Sequence, residues 1–355
     1  MKKLVVLGGG YGGLTIVLNL LEKELPPDTV IVLVDRSPFQ GLKTEYYALA
    51  AGTVAETHVR IQYPVDPRLI MKYGDVTAVD LENKQVLFDG KEPLTYDWLV
   101  IGLGCTDNYH GIPGAEQFSC SLQSFHQTRL TYAQVSNVAP YGQVTVVGGG
   151  LSGVEIAAEL RESRPDLNIR ILDRGTSVLS AFPSKLQQFV REWMMEHHIE
   201  MRSHISLTRL DGGDLYNGED DIIKTDVTVW TAGIKPSPVV QALELPKDKQ
   251  GRLIINEYHQ LPDHNDVYVV GDCASLPFSP SGQAAEAQGK QIAEVIRALW
   301  KGETPRLGTI KLKGTLGSLG KKAGFGIMGK RTVMTGTIPR ALKSGVLWMS
   351  KRHFG

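Results

Sequence analysis

The chain of 355 residues is poor in cysteine: Cys105, Cys120 and Cys273 are its only three, and no two form a C-x-x-C or C-x4-C pair. No disulfide framework and no zinc site is expected from that spacing, and no metal of any kind. All three read as small buried hydrophobes. No run of 18 apolar residues occurs, so no transmembrane helix is expected. Met1-Lys2-Lys3 leads into Leu4-Val5-Val6-Leu7, but glycines follow at once, which is not the pattern of a signal peptide. A cytoplasmic location is the expectation. Acid is missing from the last stretch. Glu303 is the final acidic residue, and 304–355 hold eleven Lys/Arg: Arg306, Lys311, Lys313, Lys321, Lys322, Lys330, Arg331, Arg340, Lys343, Lys351 and Arg352. The whole chain has zero net charge, so residues 1–303 sum to −11. A basic tail on an acidic body suits an anionic partner, either a membrane surface or a nucleic acid.

Glycine is abundant, at 38 residues, and its clustering is informative. The length allows two or three domains of roughly 100–200 residues each. Residues 3–7 read as a buried strand, Gly8-Gly9-Gly10-Tyr11-Gly12-Gly13 turns into a helix through Leu25, and Pro26-Pro27 stops it. Residues 29–34 form the next strand, ending at Asp35. The same strand–helix–strand unit recurs about 140 residues later: strand 143–147, turn Gly148-Gly149-Gly150-Leu151-Ser152-Gly153, helix 154–163 and strand 168–172, ending at Asp173. Such units build a parallel sheet, so the fold class is α/β with two Rossmann-like domains. Between and beyond them, the pattern predicts hairpin strands over 75–90, buried strands at 96–101 and 267–270, a strand pair over 221–231, and helices over 184–198 and 283–300.

A lone G-x-G-x-x-G is a weak signal. Here each copy follows a strand, opens a helix and has an acid at the next strand end. The first glycine allows the tight turn, the second lets backbone approach a pyrophosphate, and the third lets helix and strand pack closely. The phosphates then lie on free N–H groups at the helix N-terminus. The first copy is Gly8, Gly10 and Gly13, with Asp35 22 residues later; the second is Gly148, Gly150 and Gly153, with Asp173 20 residues later. Each acid is suited to a ribose hydroxyl pair. At Asp173 a carboxylate repels a 2′-phosphate, which favours NADH over NADPH; Arg174 reads as a solvated charge.

These residues resemble the two-dinucleotide flavoprotein family with the glutathione-reductase-like fold. Asp266-Val267-Tyr268-Val269-Val270-Gly271-Asp272 is similar to its second FAD signature, and the resemblance assigns Asp272 to the ribityl chain. Tyr96–Gly102 and Val229–Pro236 resemble its inter-domain segments, although Gly102-Leu103-Gly104 stands where Ala-Thr-Gly is usual. A finer similarity, through Trp230-Thr231-Ala232-Gly233, Gly153-Val154-Glu155 and Lys313–Gly320, is to type II NADH dehydrogenases, the NADH:quinone oxidoreductases. It implies an FAD-binding domain from 1–108 and 255–308, an NAD(P)H-binding domain at 109–254, and a basic region at 309–355 for membrane docking or dimerisation. It further implies cofactor contacts at Tyr11, Gly12, Arg36, Thr44, Val76, Gly102, Gly233, Gly271 and Ala284. Hydride would pass from NADH to FAD and on to a quinone, with stacking and orientation as the protein's part. The absent cysteine pair argues against the disulfide-reductase and sulfide-oxidising branches.

Two ionisable or polar candidates concern the acceptor. Glu155 matches a Glu that the family places near nicotinamide and quinone, where it could relay protons; it is equally a first-turn carboxylate favoured by the helix dipole. Gln283 matches the first Gln of the A-Q-x-A-x-Q pattern of quinone reducers, and Ala285 matches its second Ala. Gly282 replaces the first Ala, and Ala287 the second Gln. Gln288 is about 100° further round a helix, so it cannot simply substitute. A soluble NAD(P)H-dependent flavoenzyme with another acceptor, and a low-turnover flavin redox sensor, therefore stand beside the quinone reading. The 338–353 stretch puts Ile338, Ala341, Leu342, Gly345, Val346, Trp348 and Met349 on one helical face, with Arg340, Lys343, Ser344, Ser350 and Lys351 opposite and Leu347 breaking the pattern. Such a helix suits the inner face of a cell membrane as a peripheral contact, or packing on its own protein or a second subunit. No nucleic-acid module is recognisable.

Overall fold

A computed structural model describes residues 1–23, 25–329 and 332–354, and all of their side chains except those of 350 and 352–354. Of the basic tail, Lys330, Arg331 and the side chains of Ser350 and Arg352 lie outside the described residues.

Two sheets organise the molecule. The larger has the order Gln260–Leu261, His264–Val269, Trp98–Ile101, Lys2–Leu7, Thr29–Asp35, Leu69–Tyr73. Its neighbours run parallel except for the Gln260–Leu261 edge. Leu7 is level with both Val34 and Ile101, and Val269 is level with Ile101. Gly8, Asp35, Gly102 and Val270 thus leave the sheet along one carboxyl edge, where α/β sheets bind ligands. The smaller sheet has the order Ile199–Arg202, Asn168–Leu172, Gln143–Val147, Val227–Trp230, all parallel. Its matching edge releases Gly148, Asp173 and Thr231. Both sheets are covered on two faces, which is why their strands are runs of buried Val, Ile and Leu.

The helices are α1 (Tyr11–Leu21), α2 (Tyr46–Ala50), α3 (Phe125–Ser136), α4 (Leu151–Ser163), α5 (Ser184–Glu196), α6 (Pro238–Ala242), α7 (Gly282–Trp300) and α8 (Thr337–Phe354). Helix α1 ends at Leu21, four residues before the Leu25 expected from the proline pair. Its last turn tightens, with Lys23 N–H donating to the Leu20 carbonyl at 3.2 Å, and Arg68 takes the Leu21 and Lys23 carbonyls at 2.7 and 3.0 Å. A cap from Arg68, in the turn before the Leu69–Tyr73 strand, thus ends the helix early. Helices α1 and α7 lie backbone to backbone: a Cβ on Gly289 would stand 2.7 Å from the Gly12 carbonyl oxygen. That contact holds α7 against the first glycine loop.

The tail is more ordered than its Gly- and Lys-rich composition suggests. Gly314–Leu319, Ala323–Met328 and Thr332–Gly336 form an antiparallel sheet that joins α4 to α8. Helix α8 sits the other way round from a simple amphipathic packing. Pro339 and Lys343 are buried, whereas Ile338, Leu342, Val346 and Met349 are exposed. Lys343, expected on the solvated face, is an interior residue because a carboxylate, a phenol and a hydroxyl surround its ammonium, as described below. Among the described residues no helix is long and apolar enough to cross a membrane.

Candidate dinucleotide and acceptor sites

The two glycine loops have the same geometry. Gly8 and Gly148 adopt φ of +95° and +108°, which an L side chain resists. Gly10 and Gly150 cap their helices at φ −74° with ψ of −169° and −171°. A Cβ on Gly13 would lie 2.0 Å from the Gly8 oxygen, and one on Gly153 would lie 1.9 Å from the Gly148 oxygen. By contrast, a Cβ on Gly10 or Gly150 meets no protein atom within 4 Å. The outer glycines are therefore fold requirements. The middle ones leave a cradle open in front of unused helix N–H groups, which fits a pyrophosphate.

The acids match as well. Asp35 accepts from Gly9 N–H at 2.7 Å and from Ser37 N–H at 2.8 Å. Asp173 accepts from Gly149 and Gly175 N–H, both at 2.6 Å. Each carboxylate is anchored to its own loop and keeps lone pairs for a ribose diol. Arg36 forms an exposed ion pair with Asp75 at 3.6 Å, which brings Val76 to the Asp35 end of the first loop. Arg174 is exposed.

Tyr11, at the first turn of α1, shares a 3.0 Å hydrogen bond with Thr44. Its ring lies 3.2 Å from where a Gly282 Cβ would be, which explains why glycine stands at the start of α7. Gly102 passes so close to Gly8 that a Gly8 Cβ would fall 2.3 Å from its oxygen. Gly271, at φ +72°, donates its N–H to Gln288 Oε1 at 2.8 Å. Gln288 also donates to the Val269 carbonyl at 2.9 Å and is fully buried. It braces the turn that carries Asp272. Ala284, one turn before Gln288, is buried, whereas on the other side of α7 Gln283 accepts the Lys313 N–H at 2.7 Å. Burial pushes the carboxyl of Glu286, on the same face, above its usual range, although Lys290 and Lys313 oppose this.

Cys105 departs from expectation. It is half-buried and polar in its contacts: its thiol donates to Asp272 at 3.0 Å and receives Lys43 Nζ at 3.1 Å. Burial pushes this thiol up to about 12. Cys120 and Cys273 are buried, as expected. Gly233, at φ +128°, belongs to the turn after Trp230, where Thr231 holds the Gly148 carbonyl at 2.9 Å.

Glu155 occupies the first turn of α4 and is 5 % exposed. Its Oε1 accepts from Ser318 N–H at 2.9 Å and Ser318 Oγ at 3.1 Å, and it forms an ion pair with Lys343. Lys343 also donates to the Tyr47 hydroxyl at 2.7 Å, and Tyr47 donates to Glu45 at 3.0 Å. Burial, then the charges of Glu155 and Glu45, hold the Tyr47 hydroxyl well above its usual pKa. Burial also raises Glu45, against the pull of Lys343. Four chain segments thus meet in one polar cluster between the two sheets. Sequence reasoning missed Lys343, Tyr47 and Lys43; Ser318 lay inside the Lys313–Gly320 stretch already singled out.

Paired parallel sheets, each with a phosphate-type loop and a diol-type acid at its carboxyl edge, define a pyridine-nucleotide oxidoreductase. The chain belongs to the pyridine nucleotide-disulphide oxidoreductase family, whose profile matches residues 2–302. It is 50% identical to the NADH dehydrogenase-like protein YutJ of Bacillus subtilis, over 100% of both chains. It is 25% identical to a type II NADH:quinone oxidoreductase of Staphylococcus epidermidis, over 94% of this chain and 91% of the other. Among solved structures, NDH2 from Plasmodium falciparum in complex with NADH superposes with a TM-score of 0.84 at 16% identity, over 99% of this chain and 96% of that one. Within the family the chain is type II NADH dehydrogenase-like.

Proposed function

We propose that the chain is an FAD-dependent NADH:quinone oxidoreductase. The observation that carries this reading is the pair of open cradles at Gly10 and Gly150, each on its own sheet edge. Residues 1–108 with 255–308 would bind FAD through Gly8–Gly13, Asp35 and Asp272. Residues 109–254 would bind NADH through Gly148–Gly153 and Asp173, whose negative charge disfavours a 2′-phosphate. When bound, the flavin supplies the route for two electrons from NADH to the acceptor. The chain's own work is to orient both ligands and to move protons. Glu155, bonded to Lys343 and Ser318, holds a carboxylate at the interior, and Lys343, Tyr47 and Glu45 extend the hydrogen-bonded path from it. Gln283 and Ala284 would face the flavin from α7. The exposed apolar face of α8 supports peripheral contact with the inner membrane face, where each nearby Lys or Arg adds about 1 kcal/mol; a homodimer would cover the same face.

One observation favours a second reading, a non-quinone acceptor. Ala287 offers no amide beside Gln283, and Gln288 is committed to the turn at Gly271. The test is to purify the protein, record its visible spectrum, and measure NADH and NADPH oxidation with a water-soluble quinone, ferricyanide and oxygen. Fast NADH–quinone turnover is expected. Ferricyanide turnover without quinone turnover would sink the quinone assignment and leave the flavoenzyme; flavin reduction with no reoxidation by any acceptor would indicate a redox sensor.

A further inference from the structure

Lys43 is a cation with too few partners. It follows buried Leu42 and lies where the strand ends at Ile101 and Val269 release Cys105 and Asp272. An ammonium has three N–H donors. Among the described residues, the Lys43 ammonium meets one acceptor, the Cys105 sulfur at 3.1 Å, and no carboxylate at ion-pair distance. A thiol sulfur is a weak acceptor. Its pKa is nonetheless raised: burial works against the charge, but Cys105, Asp272 and Asp107 outweigh that. Lys43 is half-buried near the carboxyl edge of the sheet. Donors left over at such a place point to a ligand with acceptor atoms or negative charge.

Which part of a ligand this is follows from the neighbours. The pyrophosphate cradle is at Gly10, on the N-terminus of α1. Asp272 marks the ribityl end, and Lys43 is joined to Asp272 through one thiol. We propose that Lys43 faces the flavin ring and sets its reduction potential, with Cys105 and Asp272 holding the ammonium in position. This rests on the FAD reading above. Hydride transfer from NADH brings two electrons and one proton to the ring, leaves NAD+, and adds one negative charge beside Lys43. A fixed cation there favours the reduced over the oxidised cofactor.

The test uses the holoprotein and three variants, Lys43→Met, Lys43→Gln and Lys43→Arg, each purified with bound FAD. Midpoint potentials are read by equilibration with a reference dye, and FAD content by absorbance. The two neutral variants are expected to shift the reduction equilibrium at least tenfold against the reduced form, a fall of about 30 mV for a two-electron couple. Lys43→Arg should recover most of it. Unchanged potentials in both neutral variants overturn the proposal, and so does a loss of FAD affinity without a change in potential, which would assign Lys43 to the phosphates. Wild-type protein that holds no flavin overturns the FAD reading itself, and this proposal with it.

Discussion

Gly150 offers a way to damage one binding site without damaging the fold. Its backbone, at φ −74° and ψ −171°, is one that any residue adopts, and a Cβ there meets no protein atom within 4 Å. For Gly150→Ala the cost to folding is that of replacing an N-cap glycine by alanine, from a few tenths to about 1 kcal/mol. The methyl group instead projects into the cradle. If it displaces one charge-assisted N–H to phosphate hydrogen bond, worth about 1.5–3 kcal/mol, NADH binding weakens by about 10- to 150-fold. Gly153→Ala is the control of opposite kind. Its Cβ would lie 1.9 Å from the Gly148 oxygen, so strand and helix must part, at about 1–3 kcal/mol. The assay is threefold: the apparent KM for NADH with ferricyanide, the FAD content, and the melting temperature. Gly150→Ala should raise the KM and keep both FAD and melting temperature; Gly153→Ala should lower the melting temperature. Gly10→Ala should reverse the cofactor roles, losing FAD first. A Gly150→Ala enzyme with KM within about twofold of wild type, or one that loses FAD instead, would refute the assignment of the two loops.

Other expectations concern the interior and the tail. Lys343→Met strands Glu155 as an uncompensated buried carboxylate and should cost about 3–5 kcal/mol in urea unfolding; the double variant with Glu155→Gln should regain much of that, and no recovery would mean that the pair is not coupled. His259, buried against Gln288 and Gln291, has its pKa lowered below 6.5 by burial. Its neutral form is the folded one, so its contribution to stability is full above pH 6.5 and is lost as pH falls through the lower folded value. His259→Gln should flatten the stability profile in that acid window, and an unchanged slope would exclude His259 as its source. On α8, Leu342 and Val346 are 41% and 47% exposed. Leu342→Glu with Val346→Glu should abolish co-sedimentation with anionic liposomes and leave NADH–ferricyanide turnover intact; persistent binding would show that this face is not the anchor.

The dinucleotide loops were legible because their physics is local. A tight turn, an open helix N-terminus and a strand-end acid all fall within about 30 residues, so Gly8–Gly13 with Asp35 and Gly148–Gly153 with Asp173 could be read in order. The same held for the long helix, expected over 283–300 and found at Gly282–Trp300. The three tail strands escaped notice because Gly314–Leu319 and Ala323–Met328 are glycine-rich and lack the alternation that marks a half-buried strand. The tail helix was found and its apolar face is exposed, but its polar face is not all solvated: Lys343 is buried. Here a single ammonium, compensated by Glu155 and Tyr47, decides which face is buried.

By itself, the sequence determined the repeated strand–helix–strand unit, the two loops, and the acids that complete them, since each depends on neighbours a few tens of residues away at most. Tertiary structure decided the rest. Glu155 meets Ser318 and Lys343 across 163 and 188 residues, and Asp272 meets Cys105 across 167. Whether a Lys is a solvated charge or a buried one depends on which carboxylates the folded chain brings to it, and no periodicity in the sequence records that. For Lys343 the desolvation of the ammonium is acceptable only in the company the fold provides.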